Sequence, residues 1–168
     1  MSDANANDLR DKLRAALHVE RWVDAVAAKA PYSDLDSLVM AAYDAATPLT
    51  PAEIDEAVAA HPRIGEQPAG SSRAESLSRS EQSAPDADDE ALAAAIARGN
   101  EAYELRFGRV FLIRAAGRTR AEVLGELTRR LELDDATELA IVGEQLRDIA
   151  LLRIETIFQA GLAESGLL

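Results

Sequence analysis

Apolar positions recur three and four residues apart over most of the chain, the spacing of helices with one buried face. Leu9, Leu13, Ala16 and Leu17 form the first stripe, with Asn7 or Asp8 as its N-cap. Trp22, Val23 and Val26 form a second. It must stop before Pro31, whose ring and missing N–H end a helix. Ser33 with Asp36 gives a weaker, aspartate version of the capping box ahead of Leu35–Tyr43. The clearest start is at Thr50: Thr50 caps, Pro51 takes the first helical position and Glu53 closes the box. That helix carries Ile54, Ala57, Val58 and Ala60 up to His61-Pro62.

From Arg63 to Asp88 the chain turns rich in Gly, Ser, Pro and charge, which predicts a long connection holding one short helical piece. Connections of that length inside a domain are often functional or disordered. Helical spacing returns from Asp89 to Phe107, where Gly99 weakens it by about 1 kcal/mol relative to alanine. Gly108 and Gly117 bracket an apolar stretch with no partner strand elsewhere, so a single buried segment, helical or extended, is expected. Thr119 and Glu122 make another capping box, leading Val123, Leu124, Leu127 and Leu131. Asp135 or Thr137 opens the last helix, through Leu139, Val142, Leu146, Ile149, Leu152, Ile157 and Phe158. No alternating strand pattern of any length exists. The prediction is an all-α single compact domain of seven or eight helices, with residues 1–8 frayed and 63–88 as the active-site loop region.

Composition narrows the function classes. With 30 acidic and 18 basic residues the chain carries a net charge of −12, which repels phosphate backbones and argues against nucleic acid as a partner. Cysteine is absent, which excludes disulfides, thiolate catalysis and thiolate-bound clusters. The two histidines, His18 and His61, are too few for a His-rich metal centre. The opening residues have neither a basic start nor an apolar run, and no stretch approaches the ~20 apolar residues that cross a bilayer. The expectation is a soluble cytoplasmic protein with no membrane partner. Aromatic residues are 4% of the chain, which predicts helices packed closely through alanine rather than a large cavity.

Three places carry candidate chemistry. His61 sits where a helix must give way to Pro62, near a negative helix end that favours imidazolium. It is either a proton-transfer group titrating near neutrality or a residue capping the last carbonyls. Neighbouring Arg63 is an anion ligand or an ordinary surface residue, and Gly65 a turn residue. Ser78 and Glu81 have capping-box spacing, and together with Gln82 they also put a hydroxyl, a carboxylate and an amide on one short turn. In that reading Glu81 orients His61 and Gln82 binds an amide or ureido group through donor and acceptor. On the last helix positions 139, 142, 146, 149, 153, 156 and 160 share a face, and Arg153 interrupts it where an aliphatic residue belongs. Either it meets an anion inside or it snorkels to solvent. Arg147 lies on a neighbouring row and is the weaker candidate.

Taken together, His61–Gly65, Leu77–Gln82, Asn100–Gly108, Val110–Ile113, Gly117-Arg118 and Ile149–Arg153 resemble one family, 2-oxo-4-hydroxy-4-carboxy-5-ureidoimidazoline (OHCU) decarboxylase. Trp22 followed by Pro31-Tyr32 is similar to its N-terminal part, and the likeness runs from about Leu13 to Phe158. The resemblance implies an all-helical carboxy-lyase that takes the last step of urate degradation to (S)-allantoin, with no metal or organic cofactor, usually as a homodimer. It implies His61, Glu81 and Arg153 as catalytic residues. Pro62, Ser78 and Gln82, with backbone groups of Phe111, Leu112 and Ile113, would contact a small anionic ureidoimidazoline. Two departures stand out. Some relatives carry a basic residue at the place of Ala116, where this chain offers Arg114 and Arg118 instead, and the stretch before Trp22 is short. Two rivals remain: a helical interaction domain in which His61 and Glu81 only cap, and a related enzyme acting on a different ureido acid.

Overall fold

The computed structural model describes residues 3–61, 77 and 79–165, with side chains through residue 159. Seven helices are described in chain order: α1 (Asp3–Ala16), α2 (Glu20–Ala27), α3 (Leu35–Ala45), α4 (Pro51–Val58), α5 (Glu90–Phe107), α6 (Arg120–Arg130) and α7 (Asp135–Ser165). A helical turn around Arg79–Glu81 adds to them, and no strand occurs among the described residues. None of the described helices is long and apolar enough to cross a membrane. The chain divides into two compact units, Met1–Ala57 with Leu146–Leu168, and Val58–Gln145.

In the first unit the stripes predicted for α1 and α2 are buried: Leu13, Ala16, Trp22, Val23 and Val26 are all at or near zero exposure. The Trp22 indole N–H, which would be costly to bury unpaired, donates to the Ala42 carbonyl at 3.0 Å. α1 begins at Asp3, ahead of the Asn7 or Asp8 cap expected from sequence. α3 is capped by Asp34, which accepts from the Ser37 amide at 2.7 Å. Ser33 instead reaches only the Ser37 hydroxyl, because its place is one residue outside the helix entry. The Thr50 box of α4 forms as read: the Glu53 amide donates to Thr50 Oγ1 at 3.2 Å, and the Thr50 amide donates to Glu53 Oε1 at 2.9 Å. Glu53 also pairs with Arg21 of α2 at 2.6 Å, so one carboxylate ties the cap of one helix to the side of another. The Arg21 guanidinium, followed by the Thr50 bonds, holds the Glu53 carboxyl below the usual range against the opposing effect of burial. The α4 helix stops at Val58, so Ala60 and His61 lie beyond it rather than on its face.

In the second unit, Ile96, Tyr103, Phe111, Ile113, Ala115, Val123 and Leu127 form one apolar cluster. α5 is capped by Asp89, which accepts from the Leu92 amide, and it ends in Gly108 at φ 71°, a left-handed position open to glycine at little cost. The segment after it is buried and non-helical. Phe111, Ile113 and Ala115 enter the cluster at alternate positions, the period of an extended chain without a strand partner. Gly99 has a packing role that its low helix propensity does not reveal: a Cβ there would collide with Leu127, so its absence lets α5 and α6 approach closely. α6 carries the full Thr119–Glu122 capping box. Asp86, from the connection before α5, accepts from the Arg120 and Ala121 amides at 2.7 and 3.1 Å and fastens that loop to the start of α6. α7 is capped by Asp134, which accepts from the Thr137 amide at 2.7 Å, one residue before the expected start.

Candidate active site

His61 is half-buried in the turn that follows α4, where its backbone N–H donates to the Val58 carbonyl at 3.0 Å. Glu81 closes the short helical turn and Gln82 follows it, both half-buried. These three residues belong to the second unit. Pro62, Arg63, Gly65 and Ser78 lie outside the described residues.

Arg153 belongs to the first unit and is 4% exposed, so it does not snorkel. Its Nη1 donates to the Ala15 carbonyl near the end of α1 at 3.1 Å. The stripe that predicted it is buried from Val142 through Leu146 and Ile149 to Arg153. Thr156 is exposed instead, its hydroxyl bonding the Leu152 carbonyl, and the buried face continues through Ile154 and Ile157. A 3.6-residue period drifts off any fixed three-and-four pattern, which accounts for the shift. Arg147 is occupied by Asp148 at 3.2 Å and by the Tyr43 ring at 4.8 Å.

Phe111, Leu112 and Ile113 are all buried. A polar network that the sequence reading did not find holds them. Arg130, at zero exposure on the last turn of α6, pairs with Glu138, also at zero exposure on the first turn of α7. Arg130 Nε lies 2.9 and 3.0 Å from the two Glu138 oxygens, and its Nη2 donates to Oε1 as well. Nη1 of the same guanidinium donates to the Leu112 carbonyl at 2.9 Å, and the group lies over the Phe111 ring at 4.7 Å. Tyr103 completes the network by donating its hydroxyl to Glu138 Oε1 at 2.5 Å. Burial first, and then that bond to a carboxylate, push the Tyr103 pKa up to about 12. Two residues on, the Arg114 amide donates to Gln145 Oε1 of α7 at 2.8 Å. The signal was present in the sequence: Val123, Leu127 and Arg130 fall on one face, as do Glu138, Val142 and Leu146. Each stripe has a charge where a hydrocarbon belongs, as at Arg153.

The two arginines offered for a second anion contact differ in setting. Arg114 is engaged through its backbone as described, whereas Arg118 Nε is enclosed with no hydrogen-bond partner among the described residues.

Residues 2–155 match the family model of OHCU decarboxylase. The chain belongs to the OHCU decarboxylase family. Among relatives, the uric acid degradation bifunctional protein TTL of Arabidopsis thaliana is 39% identical over 106 residues, covering 61% of this chain and 33% of that protein. This chain thus spans about a third of that relative's length. A crystal structure of OHCU decarboxylase in the presence of (S)-allantoin superposes with a TM-score of 0.72 at 24% identity, covering 89% of this chain and 98% of the other. A crystal structure of (S)-allantoin synthase gives 0.63 at 17% identity, over 90% of this chain and 50% of that one. At these identities the two structures establish that the family's all-helical fold is shared.

Proposed function

We propose that this chain decarboxylates 2-oxo-4-hydroxy-4-carboxy-5-ureidoimidazoline to (S)-allantoin and CO2, the last step of urate degradation. The observation that carries this reading is the family match across residues 2–155. A relative whose name places it in uric acid degradation supports it.

The chemistry needs little from the protein beyond placement and proton handling. As CO2 leaves, the electron pair of the breaking C–C bond moves into the ring, toward the adjacent imine carbon, and the imine nitrogen takes up a proton. The substrate is thus its own electron sink. The hydroxyl on the ring carbon that carried the carboxylate then gives up its proton to become the ring carbonyl, and the neighbouring carbon, which bears the ureido arm, accepts one on a single face. The protein must hold the carboxylate out of the ring plane and stabilise the enolate-like intermediate. In this reading His61 moves the proton at the substrate hydroxyl or carboxylate, and Glu81 orients His61 or meets the ureido group. Arg153 binds an anionic or carbonyl oxygen, and Gln82 holds the ureido end. In the same reading Pro62 and Ser78 contact the substrate, and the backbone of Phe111–Ile113 forms a wall beside it. A buried guanidinium on a helix face that is otherwise aliphatic is the geometry that best suits an anionic substrate. We further propose that the protein acts as a cytoplasmic homodimer without a metal or organic cofactor.

The test generates the unstable substrate in place with urate oxidase and hydroxyisourate hydrolase and follows circular dichroism as allantoin appears. Rapid formation of the (S) signal by the wild type, lost in a folded His61→Asn variant, is the expected result. Decay to racemate at the spontaneous rate with wild-type protein would overturn the decarboxylase reading. Conversion undiminished by His61→Asn would remove the histidine from the reaction.

A further inference from the structure

Burying an arginine and a glutamate completely is costly, and a hydrocarbon pair of similar volume serves packing as well or better. Arg130 and Glu138 nevertheless stand at zero exposure inside the second unit. Their arrangement has a property that no hydrocarbon pair reproduces. Three guanidinium contacts to Glu138 fix the plane of Arg130, and the remaining nitrogen, Nη1, is thereby aimed at the Leu112 carbonyl. Tyr103 donates to Glu138 Oε1, the oxygen that Arg130 also holds. Gln145 holds the Arg114 amide. Together these bonds grip the backbone on both sides of Ile113. The gripped segment belongs to no helix or sheet ladder, so these side chains stand in for the ladder bonds that otherwise fix an extended backbone.

We propose that Arg130, with its plane set by Glu138, is a positioning residue for the decarboxylation: it holds the Phe111–Ile113 backbone in the conformation that meets the substrate. The inference rests on the proposed role of that backbone as a wall of the active site. Arg130 touches only protein, and its effect reaches the substrate through the Leu112 carbonyl and the peptide units beside it.

The decisive variant is Arg130→Met/Glu138→Leu combined with Tyr103→Phe, which removes the grip together with both charges of the buried pair and the hydroxyl that meets them, at the cost of the bond between Tyr103 and the neighbouring Arg109. Arg130→Lys is its companion, keeping the charge but losing the fixed plane. Thermal unfolding, hydrogen exchange of residues 111–114 with and without (S)-allantoin, and kcat and KM on enzymatically generated substrate are measured for wild type and both variants. The triple variant is expected to fold, to exchange faster at Ile113 and Arg114, and to lose about tenfold to a hundredfold in kcat/KM, chiefly in kcat, as displacement of a positioning element does. Arg130→Lys falls between it and wild type. A folded triple variant with kcat/KM within about twofold of wild type would overturn the proposal, whatever its exchange. If the triple variant does not fold, Arg130→Lys decides: a folded protein with kcat lowered about fivefold or more and KM little changed supports the role, and wild-type kinetics refute it. Failure of the underlying site reading has its own signature. In that case (S)-allantoin would leave exchange at residues 111–114 of the wild type unaltered, and the positioning role would fall with it. Failure of the grip alone would leave ligand protection intact and the variants' exchange unchanged.

Discussion

A phenol that donates to a buried carboxylate keeps its proton more tightly than one in water. Tyr103 is neutral over the whole range in which the free side chain would begin to ionise, with its pKa at about 12. Because the folded-state value is raised, the contribution to stability is complete below the unfolded value near 10, and it is lost as pH rises through the folded one. Unfolding followed from about pH 9 to 12 should therefore show a steep alkaline loss of stability that Tyr103→Phe flattens. Cutting the network at one partner behaves differently. Glu138→Gln leaves the Arg130 charge buried opposite a neutral amide, and the expected destabilisation at neutral pH is about 3 kcal/mol in urea unfolding. The acid side has its counterpart at Glu53, whose carboxyl is held below its ordinary range chiefly by Arg21. Its contribution is present above the unfolded pKa and disappears as pH falls through the folded one. Glu53→Gln should cost about 1 kcal/mol at neutral pH, with the difference from wild type closing in acid.

At the scale of elements, helix starts were the most legible part of the sequence, because a cap is a short chemical pattern. The Thr50 and Thr119 boxes stand where the residues put them. Where two polar residues competed, as at Ser33 and Asp34 or at Asp134 and Asp135, the choice fell one residue away, since backbone direction decides which carboxylate faces the open amides. Charges set on apolar faces were legible in principle, and Arg153 was read from its stripe. Arg130 and Glu138 carry the same mark but pair across a turn, so each alone looks like an ordinary surface residue. The grip on Leu112 was not legible at all, because it depends on where a non-helical segment passes. Gly99 teaches the same lesson in reverse. Propensity says alanine there gains about 1 kcal/mol, yet a Cβ would strike Leu127, which is fully buried and has little room to yield. Gly99→Ala is expected to be destabilising on balance, by about 1–3 kcal/mol in denaturant unfolding.

For the molecule as a whole, the excess of carboxylates matters more than any single pair. A net charge of −12 spread over 168 residues repels itself at neutral pH. Exposed pairs such as Arg129–Glu126 and Lys12–Asp8 contribute little in return. Raising salt to about 0.3 M shortens the reach of charge to a few ångströms and should relieve more repulsion than attraction. The midpoint of thermal unfolding is therefore expected to rise with sodium chloride, and a fall would show that the local pairs outweigh the net field. Under the proposed function an anionic substrate would meet the same field, and the buried Arg153 would have to supply its local reception.

The division of the chain also sets an order of events at birth. Residues 58–145 are consecutive, so their unit is complete when its last residue leaves the ribosome. The other unit is discontinuous: its first 57 residues must wait for Leu146 onward, and the Arg153–Ala15 bond joins positions 138 apart. Until Arg153 emerges, the end of α1 lacks the partner it meets in the folded chain. α1 is thus the element of its unit whose final contacts wait on the last helix.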